Sequence, residues 1–486
     1  MRNVLVCITL LVTAALCGCA VGPDYRRPDV ATPRAYKEAP ANATSTSGAQ
    51  GAVSAQLEDA NSTQQWWTVF NDPLLNELEQ QVEVSNQDLA AAEAAYREAL
   101  TVIRQQRSAL FPSLGISADA SHTKGASRSA SISDTGTSTT SRNNSYEVAA
   151  SASWEIDLWG RIRRSVENAR ALADASAADL ASAKLSLQGQ LAIAYLQLRE
   201  ADAEQRLIAQ TIDAFTRSLQ IAQNRYKAGV AAKTDVLQAR TQLANAQAQN
   251  VALELQRAQL EHAIASLTGK PASDFTLTAQ ESWQQVVPDV PFGLPSTLLQ
   301  RRPDIAAAER RVAAANANIG VEKADYFPTL TLTAARGFLA ATVGNLFDSG
   351  AETRSIGGSI AETLFDAGAR SARVAGARAA YDQTVAQYRQ SVIIAFQDVE
   401  DNLASSNFLS RQYEFGREAS EVADETEQLT LNQYKAGTVS YTDVVVAQTA
   451  ALDARRSLAS IALDRQTAAV SLITTLGGGW NAPAPP

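Results

Sequence analysis

From Arg161 to Lys227 the chain carries no proline and a single glycine, Gly189, and the stretch from about Ala369 to Lys435 is likewise free of proline and broken only by Gly376 and Gly416. A helix over either stretch would extend ~100 Å at 1.5 Å per residue. A compact globular core cannot use such a rod, so these two segments constrain the fold more than any other feature. Small residues recur along them, as in Ala169, Ala171, Ala173, Ala175, Ala177 and Ala178, which lets helix axes approach closely. Composition agrees, because hydrophobic residues make up 45% of the chain while aromatics supply only 6%, which suits packed helices better than a bulky core. Periodicity alone leaves a solvated coiled coil and a helical tube both open.

The two rods belong to an internal duplication. Asn224-Arg225-Tyr226-Lys227-Ala228-Gly229 recurs as Asn432-Gln433-Tyr434-Lys435-Ala436-Gly437, and each is followed by Thr-Asp-Val, at Thr234-Asp235-Val236 and Thr442-Asp443-Val444. Phe111-Pro112-Ser113-Leu114 is echoed by Phe327-Pro328-Thr329-Leu330, and Ser266-Leu267-Thr268-Gly269 by Thr474-Thr475-Leu476-Gly477. Each copy reads as helix, strand pair, very long helix, tight turn and a further helix. The first repeat is predicted over 66–270 and the second over 303–477. A connector over 271–302, marked by Pro288, Pro291 and Pro295, joins them, and a tail over 478–486 follows.

The strand pairs are short. Tyr146, Val148, Ala150, Ala152, Trp154 and Ile156 alternate with Glu147, Ala149, Ser151, Ser153 and Glu155. One apolar face with aromatics near both ends, opposed to a polar face, is the pattern of a transmembrane β-strand of ~9–11 residues. Strands are predicted at about 113–121 and 146–156 in the first copy, with His122–Ser145 as an exposed loop. In the second copy they are predicted at about 329–336 and 354–364, joined by Gly337–Thr353. The last strand is Gly-rich and breaks its alternation at Glu362. A single hairpin of this kind could sit in a soluble subdomain; two related hairpins, each flanked by long helices, point to the membrane. Four strands do not close a barrel, since the smallest have ~8, and open edges in hydrocarbon leave backbone groups unpaired. Spanning therefore requires several copies to share one barrel.

The N-terminus supplies an export signal over 1–18. Arg2 precedes an apolar run from Val4 to Leu16, too short to span a bilayer. The run ends in Leu16-Cys17-Gly18-Cys19, similar to a bacterial lipobox, in which the signal is cut before the final Cys and that thiol is acylated. An ordinary signal cut elsewhere would leave Cys19 as a free thiol. The only cysteines are Cys7, Cys17 and Cys19, so the body of the chain holds no thiol ligand, thiol nucleophile or disulfide. Residues 19–65 read as lipid anchor and linker. Ala20, rather than Asp, follows the anchor, which in that lipoprotein class implies sorting to the outer membrane.

A formal net charge of −9 argues against a nucleic-acid partner. The two histidines, His122 and His262, stand far apart, and no metal-ligand cluster, phosphate cradle or nucleophile elbow appears. An enzyme, a metal site and a cofactor are therefore not expected.

The motifs together carry a family resemblance. Trp66-Trp67-Thr68-Val69-Phe70-Asn71-Asp72-Pro73-Leu74 precedes the first long helix, and Gly293-Leu294-Pro295-Ser296 then Leu298-Leu299-Gln300-Arg301-Arg302-Pro303-Asp304-Ile305 open the second repeat. Ala317-Asn318-Ile319-Gly320, Phe327-Pro328 and Leu476-Gly477-Gly478-Gly479-Trp480 follow. Over nearly its whole mature length the chain resembles the TolC-like outer membrane factors of the NodT efflux-lipoprotein type. The resemblance implies a mainly α protein with membrane β-structure: long antiparallel helices and four transmembrane strands per protomer. Three protomers would form a 12-stranded barrel on a 12-helix periplasmic tube. It further implies a homotrimer in outer-membrane lipid, anchored at Cys19, that meets a periplasmic adaptor and an inner-membrane pump. Drugs, metals or other small solutes would pass through it passively.

On the same resemblance, Tyr226, Gly229, Tyr434 and Gly437 mark adaptor-docking tips, and Asp443, Val446 and Asp235 form the candidate periplasmic gate. Asp235 and Asp443 also read as helix-start carboxylates, the alternative to a ring of charge at the entrance. Related ducts carry a second acidic residue three positions after the one matched by Asp443; here that position is Val446, which points to an apolar constriction instead. Arg301-Arg302-Pro303-Asp304 reads as a structural helix start. The rival function is a pore-free periplasmic coiled-coil lipoprotein, which explains the lipobox and the helices but not the paired strands.

Overall fold

The computed structural model describes residues 20–39, 65–127, 139–280, 283, 285–290, 295 and 301–480. The signal over 1–18, Cys19, most of the linker, the middle of the first hairpin loop, Gly293-Leu294, Leu298–Gln300 and the end of the tail lie outside the described residues. The elements are α1 (Pro73–Ser85), α2 (Gln87–Ser108), β1 (Ser113–Ser127), β2 (Thr139–Ile156), α3 (Arg161–Lys227), α4 (Lys233–Leu267), α5 (Pro303–Ala324), β3 (Thr329–Ala340), β4 (Glu352–Ala361), α6 (Ala369–Ala436) and α7 (Tyr441–Thr475). Both proline-free stretches are single helices, α3 of 67 residues and α6 of 68. The chain forms two compact units, one of residues 1–28, 96–176 and 308–388, the other of 29–95, 177–307 and 389–486. Each draws on both copies of the repeat, so the copies interleave.

The first unit contains one antiparallel sheet of four strands in the order β1-β2-β3-β4. Its register brings the apolar positions to one face. Ile116, Ala150 and Arg336 share a row, as do Leu114, Ala152, Ala334 and Ile356, and Trp154 lies opposite Leu332. The other face carries Ser117, Ser151, Ser153, Thr331, Thr333 and Ser359. Leu114, Ile116, Ile356 and Ile360 are 73–91% exposed within the protomer. The Gly-rich β4 joins this pattern because it ends at Ala361, so Glu362 falls outside it.

The strand ends differ from expectation, β4 included, which spans 352–361 rather than about 354–364. β1 and β2 continue to a Ser127–Thr139 pair, through residues whose composition reads as loop, and β3 runs to Ala340. Beyond Tyr146 polar residues alternate with polar residues, so backbone pairing persists where hydrophobic alternation no longer reports it. At the foot of the sheet, Trp159 stacks on Phe327 at 4.8 Å and donates from Nε1 to Pro328 O at 2.8 Å. Trp154 Nε1 donates to Leu110 O at 3.0 Å, so each Phe-Pro motif receives an indole from the first copy beside it.

In the second unit, Trp66, Trp67 and Phe70 are buried with Leu75, Leu78, Leu191 and Tyr195. Asp72 caps α1 by accepting from Leu74 N at 3.0 Å, and its other oxygen accepts from Tyr195 Oη at 2.6 Å and Trp283 Nε1 at 3.2 Å. The Trp-Trp motif is thus a core knot. Pro303 opens α5, and Arg302 bridges Asp304 at 2.7 Å and Asp398 at 3.2 Å, the structural role expected of that motif.

Glu79 of α1 is fully buried and neither carboxylate oxygen has a hydrogen-bond partner among the described residues. Burial, reinforced by the charge of Glu83, raises its pKa well above the ordinary carboxylate value. The folded state therefore holds this proton more tightly than the unfolded state. The stability this contributes is complete below the unfolded pKa and is lost as pH rises through the raised one. Glu79→Leu is expected to raise stability by about 1–3 kcal/mol at pH 7.5, the cost of an unsatisfied buried group, and to flatten the dependence between pH 5 and 8. Melting of the purified protein at pH 5 and pH 8 checks this; an unchanged difference between them refutes it.

Candidate functional site

The two helical turns at Gly229 and Gly437 are built alike. Gly229 has φ +73° and Gly437 φ +82°, left-handed conformations that glycine adopts without cost. Val230 N donates to Arg225 O at 3.0 Å and Gly229 N to Tyr226 O at 3.0 Å; Thr438 N to Gln433 O and Gly437 N to Tyr434 O repeat the scheme at 3.0 and 2.9 Å. This is the Schellman ending, in which a glycine satisfies the last carbonyls of a helix and reverses the chain. Ala222, Ala239, Tyr434, Tyr441 and Val444 form a small buried core between the two hairpins.

A polar clasp surrounds that core. Arg225 Nη1 donates to the carbonyls of Tyr434 and Lys435 at 3.0 and 3.1 Å, and its guanidinium lies 4.7 Å from the Tyr434 ring centroid. Tyr434 Oη donates a long bond to Asp235 Oδ2 at 3.4 Å, and its ring meets Tyr441 edge-on at 5.2 Å. Burial and the nearby Asp235 raise the Tyr434 pKa. Burial, with Tyr434 and Asp235, pushes Tyr441 up to about 12. Both phenols stay neutral near pH 7, so Tyr434 keeps its donor.

The two tips are unequal. Tyr226 is 46% exposed whereas Tyr434 is 2% exposed, so the second tyrosine holds the tip together from inside. Asp443 is exposed, but its carboxylate accepts from Ser440 N at 3.0 Å and Ser440 Oγ at 2.7 Å while Ser440 Oγ receives Asp443 N, a complete capping box. Asp443 is thus a helix-start carboxylate that also remains exposed. Val446 is 64% exposed on the same helix. Sequence reasoning misses Arg225, Ser440 and Tyr441. For Arg225 a signal exists: it stands where the repeated motifs differ, Asn-Arg-Tyr against Asn-Gln-Tyr.

A sheet with opposed apolar and polar faces, joined to helical hairpins that end in a clasped tip, defines a protomer of an outer-membrane channel. The family model described as "Outer membrane efflux protein" matches residues 78–270 and 294–478, and the chain belongs to that family. It is 32% identical over 476 residues to the probable efflux pump outer membrane protein TtgC of Pseudomonas putida, covering 97% of this chain and 95% of that one. It is 31% identical to the pyoverdine export outer membrane protein OpmQ of Pseudomonas aeruginosa, covering 88% and 90%. The solved outer-membrane channel OprN superposes with a TM-score of 0.82 at 32% identity, over 95% of this chain and 100% of that one. The open-state MtrE channel of Neisseria gonorrhoeae gives 0.80 at 27%, over 96% and 100%. The fold is thus the TolC-like channel fold and the chain is an outer-membrane efflux channel protein, in a family of channels rather than enzymes. The pore-free rival falls with the sheet and the family together.

Proposed function

We propose that three copies of this chain close one barrel, four strands from each making twelve, and that the trimer is the passive outer-membrane exit of a tripartite efflux assembly. Small solutes such as drugs or metals would cross it, driven by an inner-membrane pump through a periplasmic adaptor, with no cofactor or catalysis in this chain. The observation that carries this is the sheet itself: two chemically distinct faces and unpaired outer edges on β1 and β4. Such edges are intolerable in hydrocarbon unless neighbouring chains pair with them. A second support is the seam of Phe408, Phe415, Val422 and Leu429 on α6, spaced by seven residues and 54–69% exposed, as coiled-coil contacts between chains require.

The adaptor meets the tips at Tyr226 and at the turns of Gly229 and Gly437, while Tyr434, Arg225 and Asp235 keep the entrance closed. Asp443 and the exposed Val446 then narrow it, a mixed polar and apolar constriction. Losing bonds from a charged donor costs roughly 1.5–3 kcal/mol each. Arg225→Ala, which removes two such bonds, is therefore expected to raise open probability roughly 100-fold or more in planar bilayers. A variant that conducts no more than the parent protein excludes the clasp as a gate.

Acylation at Cys19 is supported by where the chain emerges. Ala20 packs against Gly160, so that a Cβ on Gly160 would fall 2.7 Å from Ala20 Cβ, and Val21 N donates to Trp159 O at 2.9 Å. Ala20, the residue that follows Cys19, therefore lies between the end of β2 and the start of α3. Cys19→Ser is expected to abolish incorporation of labelled palmitate while the barrel keeps the protein in the outer membrane. Persistent label would place the lipid elsewhere.

A further inference from the structure

Two arginines lie on the apolar face of the sheet. The register sets Arg336 of β3 directly opposite Arg354 of β4, in one row with Ala150 and Ile116. Like charges facing across two strands repel, and arginine on a lipid-facing strand is costly away from an interface. One carboxylate relieves only part of this: Arg336 Nε donates to Glu352 Oε1 at 2.9 Å, whereas Arg354 has no acceptor among the described residues. The Arg336 side chain is 75% exposed.

Depth identifies what these charges meet. Arg336 stands seven residues beyond Thr329, the end of β3 nearest the helices. At about 3.3 Å per residue and a tilt of about 40°, that is roughly 18 Å along the membrane normal, and the flexible stem carries the guanidinium further outward. For an apolar band of about 25 Å, the pair reaches the headgroups of the outer leaflet. Directly below it runs a shallow apolar hollow. Ala150, Ala152 and Ala334 form its floor, Leu114 and Ile116 one rim, and Arg336 its head. Ile356, Trp154 and Leu332 continue it toward the foot of the sheet.

We propose that Arg336 and Arg354 bind the phosphate of a phosphorylated outer-leaflet lipid, one of whose acyl chains lies in this hollow. A phosphate accepts from both guanidiniums in bidentate fashion and cancels their repulsion, which the single Glu352 leaves uncompensated. The acyl chain fills the depression left by three alanines between larger neighbours. This rests on the sheet spanning the outer membrane.

The test uses the full mature protein in phosphatidylcholine vesicles containing either acylated glycolipid with its phosphates or the same glycolipid dephosphorylated. Vesicle flotation first scores insertion, and native mass spectrometry after mild extraction then counts retained glycolipid. The protein should retain the phosphorylated form selectively, and inorganic phosphate should not displace it. Arg336→Gln with Arg354→Gln should weaken retention roughly tenfold or more, as loss of charge-assisted bonds demands. Glu352→Gln, which frees Arg336, should strengthen it, a gain that misfolding does not produce. Equal retention by the double variant, equal retention of the dephosphorylated lipid, displacement by free phosphate, or no gain from Glu352→Gln would each overturn the site. Failure of the parent protein to float with either vesicle overturns the membrane reading beneath it.

Discussion

Phe408→Asp with Phe415→Asp leaves a helical protomer that no longer trimerises, and conductance disappears with the trimer. Both rings are exposed in the protomer, at 58% and 69%, and stand seven residues apart with Val422 and Leu429 continuing the seam. Burying one phenyl ring stabilises by roughly 1.5–3 kcal/mol. Two rings from each of three chains therefore contribute on the order of 10 kcal/mol to assembly. Aspartates in their place add buried charges without partners, which raises the cost further. Because both rings are mostly exposed in the protomer, the helices should survive, with unchanged far-ultraviolet circular dichroism. Sedimentation in detergent and planar-bilayer recording read the outcome. A double variant that still sediments as a trimer removes this seam from the interface.

Gly477→Ala and Gly269→Ala prevent accumulation of folded protein at growth temperature, whereas Gly229→Ala does not. All three glycines have positive φ, +100°, +71° and +73° respectively, so each alanine bears a left-handed penalty of roughly 1–2 kcal/mol. Their surroundings separate them. A Cβ on Gly477 would lie 2.0 Å from Arg301 O and one on Gly269 2.1 Å from Ser85 O, both backbone atoms that cannot swing aside. At Gly229 nothing stands within 4 Å. Overlap with backbone adds to the conformational penalty and takes the total beyond roughly 4 kcal/mol, the range reserved for severe lesions. Outer-membrane yield and melting temperature compare the three variants. Equal behaviour of Gly269→Ala and Gly229→Ala would show that close approach contributes nothing.

These glycines also show why much of the fold is legible in the amino-acid order. Lys270 N donates to Ala265 O and Gly478 N to Ile473 O at 2.9 and 3.0 Å, the same ending found at Gly229 and Gly437. Four repeated helix ends thus share one local solution, written in the residues that make it. The candidate site is legible only in part. Tyr226 and Tyr434 occupy the same place in the repeated motif, yet one is exposed and the other buried, because Arg225 and Tyr441 pack on Tyr434 from other helices.

Local order determined the two long helices, the capping glycines, the capping aspartate and the alternation of the strands, because a helix or a half-buried strand is specified by residues within a few positions of each other. The tertiary structure decided where pairing stops at Ser127 and Thr139, which tyrosine is buried at the tip, and that Arg336 faces Arg354 across the sheet. Those depend on which distant segment is brought alongside, and a register or a close contact between remote residues leaves no period in the sequence.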